Sequence, residues 1–420
     1  MGKVYNQEMQ WQKKTKLSDL EFLFFIFVIA YYVLPVVGAN IPFILVLGVC
    51  TVYAAFLWLL KKREGNYTLF LIVAALGISF LFLILTDSAT ISPTVSNYYV
   101  KRILSKFNQV FMTFFPAVIF FRVRRLASEK QKKLLFGFVI LTFGYVLLNT
   151  TLELIRNGGA ARDWENFSEQ TENNVGTYAF VYAIPLLIAF LPVYFSNDKK
   201  IGSTLLVLGI MAFMFLFLLL AQYTLALLIS FIGIMMQALN KIKKNITKVL
   251  MIFCLVFLLI SLPSILSFLA NHISSSDISI RLRELASFFG SGSSGGYNLN
   301  GRLSLYWQTI LAFIKSPILG NRSLVFDGHA TFLTVFADIG ILGGGLFVYL
   351  YHYTKKKMFL GEKREVKKIF STVFTCLVLM GLTNPIHNAF PLAFTMWFFV
   401  PLLLDRKIEK EKKDEETLGN

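Results

Sequence analysis

Apolar residues in this chain come in long runs that neither alternate with polar ones nor leave one helical face polar. Twelve such stretches can be marked: 17–34, 41–60, 67–86, 107–121, 134–152, 178–195, 201–221, 224–240, 249–270, 330–353, 369–384 and 388–404. A bilayer core about 30 Å thick takes roughly 20 apolar residues in a helix. Backbone in lipid must bond to itself, so each stretch reads as a spanning helix. The pattern predicts an all-α polytopic membrane protein of about twelve transmembrane helices. Stretch 107–121 is short, and the last two stretches share a tight turn at Asn384, Pro385 and His387.

Three connections are long: 87–106, 153–177 and 271–329, the last lying between helices nine and ten. The chain then divides into helices one to nine (1–270, with loop 153–177), a large loop (271–329), helices ten to twelve (330–404) and a tail (405–420). Within the large loop, the Gly/Ser run at 290–301 is flexible by composition. Apolar residues at 303, 306, 307, 310, 311, 314 and 318 then recur at helical spacing. They predict an interfacial helix lying on the membrane surface, with Tyr306 and Trp307 at the headgroups and Pro317 and Gly320 ending it. The tail mixes both signs of charge and reads as a solvated, partly disordered end.

Composition agrees with lipid as the solvent. Of the 420 residues, 56% are hydrophobic and only 15% charged; a soluble domain carries about 25% charged residues. The net charge of +17 is topological. With the N-terminus inside, the inner segments hold 31 of the 41 Lys and Arg, as the positive-inside rule requires, and both termini are cytoplasmic. Together with Asp19 and Glu21 at the inner end of the first stretch, those segments also hold 14 acids, so their excess of 17 accounts for the whole net charge. The basic balance therefore implies no nucleic-acid partner. No small-residue cleavage pattern follows the first apolar run, which reads as a retained anchor. Cys50, Cys254 and Cys376 fall within apolar stretches and read as packing residues. The four His show no ligand spacing, and no metal or cofactor is expected.

The chemistry-bearing residues gather outside. The large loop carries Arg281, Arg283, Arg302 and Arg322, and His329 stands where it returns to the membrane. Arginine presents a planar fork of donors that matches phosphate oxygens and stays charged at any working pH. Several Arg at headgroup depth suit a lipid-linked phosphate or pyrophosphate; singly, they equally suit anionic headgroups or local pairing with Asp277, Glu284 and Asp327. His329 has the residue type to take a proton from a sugar hydroxyl or donate to phosphate, and equally to cap or pack a helix end. Loop 153–177 adds Arg162, beside Arg156 and Trp164. Asp338 is half a turn out of phase with His329 and reads as a paired polar group of the bundle.

The order Arg281-x-x-x-Leu285, Gly301-Arg302 with a Trp helix, Ser316-Pro317-x-x-Gly320, His329-x-x-x-Leu333 and Asp338-x-Gly340-x-x-Gly343 resembles the O-antigen polymerase and O-antigen ligase superfamily. That family commonly has Asn after the His, where this chain has Ala330, and Glu where Asp338 stands. The resemblance implies a GT-C-like membrane protein that works on the outer face of the cytoplasmic membrane. It implies donor and acceptor glycans on undecaprenyl pyrophosphate, with flippase and chain-length regulator proteins as partners besides membrane lipids. Arg281, Arg302 and His329 would be catalytic; Arg162, Arg283, Arg322, Tyr306 and Trp307 would bind substrate. Arg on both outer loops favours a polysaccharide repeat-unit polymerase over a ligase acting on lipid A core. A flippase would instead show related halves and charges lining its spans, which are nearly charge-free here.

Overall fold

The computed structural model describes residues 16–62, 64–85, 96–157, 173–194, 201–221, 223–242, 245–272, 279, 283, 286, 297–320, 330–386 and 389–418. Among these the ordered elements are helices, with no strand. The first group is α1 (Asp19–Val33), α2 (Pro35–Asn40), α3 (Phe43–Leu59), α4 (Gly65–Leu85), α5 (Ser96–Leu126) and α6 (Glu129–Asn157). There follow α7 (Tyr178–Val181), α8 (Ile184–Tyr194), α9 (Ile201–Ala221), α10 (Thr224–Lys241), α11 (Asn245–His272) and α12 (Tyr297–Lys315). The chain closes with α13 (Thr331–Met358), α14 (Arg364–Thr383), α15 (Phe390–Phe394), a π-helical turn (Thr395–Phe399) and α16 (Val400–Leu418). Each of the twelve apolar stretches coincides with helix. Among the described residues six helices are long and apolar enough to cross a membrane: Gly65–Phe82, Ile103–Leu126, Glu129–Arg156, Thr204–Ala221, Thr331–Met358 and Arg364–Thr383.

Several elements differ from the sequence reading. The short stretch at 107–121 is the middle of the 31-residue α5, whose polar ends hid its length. The stretch at 178–195 breaks at Tyr182 and Ala183, because Pro185 has no amide to bond the Val181 carbonyl and instead sits in the first turn of α8, where none is needed. The flexible Gly/Ser run is cut short, because α12 begins at Tyr297. The tail is helical to Leu418, and Asp405 is buried.

The core is aromatic. Trp397, on the π-helical turn, is fully buried among Phe114 of α5, Tyr351 of α13, and Phe370 and Phe374 of α14. One side chain thus ties the C-terminal helices to α5, which lies far earlier in the sequence. Edge-to-face and offset aromatic pairs add about 0.5–1.5 kcal/mol each beyond the area they bury.

One end of the bundle is tied by ion pairs from the last turn of α5. Arg122 grips Glu21 of α1 with both fork nitrogens, Nε to Oε1 at 2.8 Å and Nη2 to Oε2 at 3.1 Å, and lies 3.5 Å from Glu64. Tyr53 of α3 also donates to Glu21. Arg124 donates to Asp405 at 2.7 Å and to Glu362, and Lys132 donates to Glu409. Burial pushes the Asp405 carboxyl above its ordinary range, against the pull of Arg124 and Lys132. All the charged residues of this cluster are ones that the charge count assigns to the inner side. Removing one partner of a buried pair costs about 3–5 kcal/mol, because the other charge stays buried. Arg122→Ala, which takes the guanidinium away from buried Glu21 and leaves Glu64 to Arg125, should therefore unfold at markedly lower temperature in detergent than Arg364→Ala, at the exposed start of α14.

Candidate functional site

At the opposite end, four segments meet around Asn384, which is buried between α14 and α15. Its backbone carbonyl accepts from the Thr331 amide at 3.2 Å and from the Thr331 hydroxyl at 3.3 Å, and that hydroxyl accepts from the Ile386 amide at 2.7 Å. Its side-chain oxygen accepts from the Tyr182 hydroxyl at 2.8 Å. The neighbouring Thr383 carbonyl accepts from the Tyr306 hydroxyl, also at 2.8 Å. The Thr383–Asn384 pair thus holds the start of α13, the break between α7 and α8, and the middle of α12. Pro385 explains the place, since the residue before proline is held extended and α14 must end there. Asn384 has that geometry, with φ −144° and ψ 159°.

Asn384→Ala would leave the buried Tyr182 hydroxyl without this acceptor, at a cost of about 1–3 kcal/mol. Tyr306→Phe removes the half-exposed hydrogen bond to the Thr383 carbonyl and should cost about 1 kcal/mol. Thermal unfolding of the two variants in detergent should give that order.

The loop before α7 is rooted at the same end. The Gly176 amide donates to the Thr150 hydroxyl at 2.7 Å, and Asn149 donates to the Asn173 carbonyl at 3.2 Å. Asn174, at φ 54°, accepts from the Val36 amide at 3.1 Å.

A second contact docks the far end of α12. Past Lys315 the chain turns, with the Gly320 amide donating to the Ser316 carbonyl at 2.9 Å and Gly320 at φ 79°. This turn fits a break in α13, where Ile339 leaves helical geometry and Gly340 takes φ 62°. The Ile341 amide, freed by the break, donates to the Pro317 carbonyl at 2.8 Å. The approach is backbone to backbone: a Cβ on Gly340 would lie 2.2 Å from the Ile318 carbonyl oxygen, and one on Gly320 2.2 Å from that of Asp338. Ser316-Pro317-x-x-Gly320 and Asp338-x-Gly340 are thus two halves of one clasp. Between clasp and tether, Phe313 of α12 meets Phe336 of α13 edge-on, with ring centroids 5.9 Å apart.

Of the sequence-derived site residues, Arg162, Arg281, Arg322 and His329 lie outside the described residues. Arg302 stands on α12 four residues before Tyr306, with its side chain also outside them. Arg283 is exposed and donates to Asn271 at 3.2 Å. Tyr306 is half-buried with its hydroxyl on Thr383, so it positions α12, whereas Trp307 is exposed. Asp338 is half-buried, with its carbonyl against Gly320. Sequence reasoning passed over Thr331 and Tyr182 and gave Asn384 only a turn. An Asn-Pro pair between two apolar runs, with a Tyr hydroxyl inside a third, was the available signal.

No protein-family model matches the chain, and no curated protein matches it.

Proposed function

We propose that the chain is a twelve-span membrane glycosyltransferase with both termini in the cytoplasm. It joins lipid-linked oligosaccharide repeat units into a surface polysaccharide outside the cytoplasmic membrane. Donor and acceptor are glycans on undecaprenyl pyrophosphate. One observation carries the reading beyond the motif resemblance: the Thr383–Asn384 turn takes hydrogen bonds from both α12 and the start of α13. Arg302 lies four residues, about 6 Å along the helix, from the residue that makes the first bond. His329 lies two residues before Thr331, which makes the second. The helix that carries Arg302 and the segment that follows His329 are thus held by the same two residues, at the end of the bundle where the long outer loops are rooted.

The chemistry suits those residue types. Pyrophosphate leaves without a general acid, and Arg281 and Arg302 stabilise the charge that develops on it. His329 accepts the proton of the attacking sugar hydroxyl. Arg162, Arg283 and Arg322 supply further charge for the substrate phosphates, and Trp307 an apolar face at headgroup depth.

Deletion of the gene and gel electrophoresis of the surface glycan test the reading. Single repeat units at the surface are expected. Absence of surface glycan would indicate a flippase, and polymer stranded on its lipid carrier a ligase.

A further inference from the structure

We infer that α12 is inserted obliquely into the outer leaflet, its C-terminal half among the lipid acyl chains, forming a lipid-immersed wall beside the proposed site. This rests on the span assignment of the proposal above, which makes Thr331 the outer end of α13.

Three contacts set the slope. Tyr306 is bonded to Thr383, next to the residue that holds Thr331, so it sits at the level where α13 begins. Phe313 meets Phe336, and Ile318 meets Gly340. At 1.5 Å per residue, α12 covers about 10 Å from Tyr306 to Phe313, while α13 descends about 7 Å from Thr331 to Phe336. For an upright α13 this is a slope of roughly 45° to the membrane plane. A helix lying flat, as its amphipathic pattern alone suggests, would meet α13 at a single level.

The exposed residues of α12 fit that path. Trp307, Leu311, Ile314 and Ile318 form one stripe, at 60%, 38%, 61% and 62% exposure. Its deep end runs into Ile341 and Leu342 of α13, 53% and 56% exposed, which flank the clasp. A membrane-spanning helix faces lipid with such residues, so the stripe continues a lipid-facing surface. Counting about 20 residues back from Lys355 puts the outer hydrocarbon boundary near Val335, with Ile318 several ångströms below it. Lys315 is the one charge on this stretch of α12. Helix side chains slant toward the N-terminus, here the outer surface, so its four-carbon stem brings the ammonium back to the headgroups.

Single cysteines at 307, 311, 314 and 318, in a chain lacking Cys50, Cys254 and Cys376, carry nitroxide labels in phosphatidylethanolamine/phosphatidylglycerol vesicles. The ratio of collision with oxygen to collision with a water-soluble nickel chelate should climb stepwise from 307 to 318. An equal ratio at all four positions would mean a surface-parallel helix, and nickel-dominated collision an aqueous one. Low collision with both reagents at 314 and 318 would mean a protein partner, such as a second copy. Any of these overturns the inference without touching the proposed reaction. Should the cysteine-free chain not fold, the native chain and Trp307→Phe are compared in brominated lipids. Trp307 quenching should be stronger with shallow bromines than deep ones; no difference between the two proteins would contradict the placement.

Discussion

Alanine at Gly340 should unclasp α12 from α13. The added Cβ would lie 2.2 Å from the Ile318 carbonyl oxygen and 2.7 Å from the Gly320 nitrogen, both backbone atoms with no rotamer to change. The residue also sits at φ 62°, a region that strains any residue with a Cβ. Relief requires the 316–320 turn to withdraw, giving up the Ile341–Pro317 hydrogen bond. Strained backbone and a lost buried contact together cost about 3 kcal/mol or more. The functional loss should be larger than the stability loss suggests. Arg302 is positioned through α12, and a misplacement of about 1 Å in catalytic geometry costs roughly 10²-fold in rate. Gly345→Ala is the control: it lies in the same helix with nothing within 4 Å of its would-be Cβ. It should be neutral or stabilising by up to about 1 kcal/mol. Polymer length on gels and thermal unfolding in detergent read both effects.

Arg281→Ala and His329→Ala should each abolish chain extension while leaving protein abundance near wild type. The roles proposed for both are chemical, so stability should not follow activity. Removing one preorganised donor to a developing anion costs about 10²–10³ in rate, and removing a general base about 10²–10⁴. Arg281→Lys separates charge from geometry: it keeps the cation and loses the planar fork, so it should recover only part of the rate. If His329 is the base, the rate should rise as pH rises and the imidazole loses its proton, and that rise should vanish in His329→Ala. Full-length polymer from both alanine variants would overturn the site assignment.

The parts of this protein that lipid dictates were legible in its sequence. Runs of about 20 apolar residues have one backbone solution in hydrocarbon; each of the twelve holds helix among its described residues, and six of those helices are long and apolar enough to cross. What the runs could not show was how helices bend or lean. Gly340 reads as an ordinary glycine in an apolar helix until Gly320, brought against it from the preceding turn, gives its positive φ a purpose. The slope of α12 is likewise invisible to periodicity, which reports the apolar face but not the level at which each turn meets a neighbour. Asp405 looked like one charge of a solvated tail because its partners, Arg124 and Lys132, lie more than 270 residues earlier. Asn384 showed itself only as a turn. Its role as the acceptor for Thr331 and Tyr182 depends on segments far apart in the chain.

The central claim is that this chain alone lengthens a lipid-linked glycan. Purified protein in proteoliposomes should be supplied with undecaprenyl-pyrophosphate repeat units extracted from cells lacking the gene, and the products resolved on a gel. A ladder of regularly spaced products, still attached to the lipid and absent with Arg302→Ala, is the predicted result. Repeat units that stay single with wild-type protein of native thermal stability would contradict it.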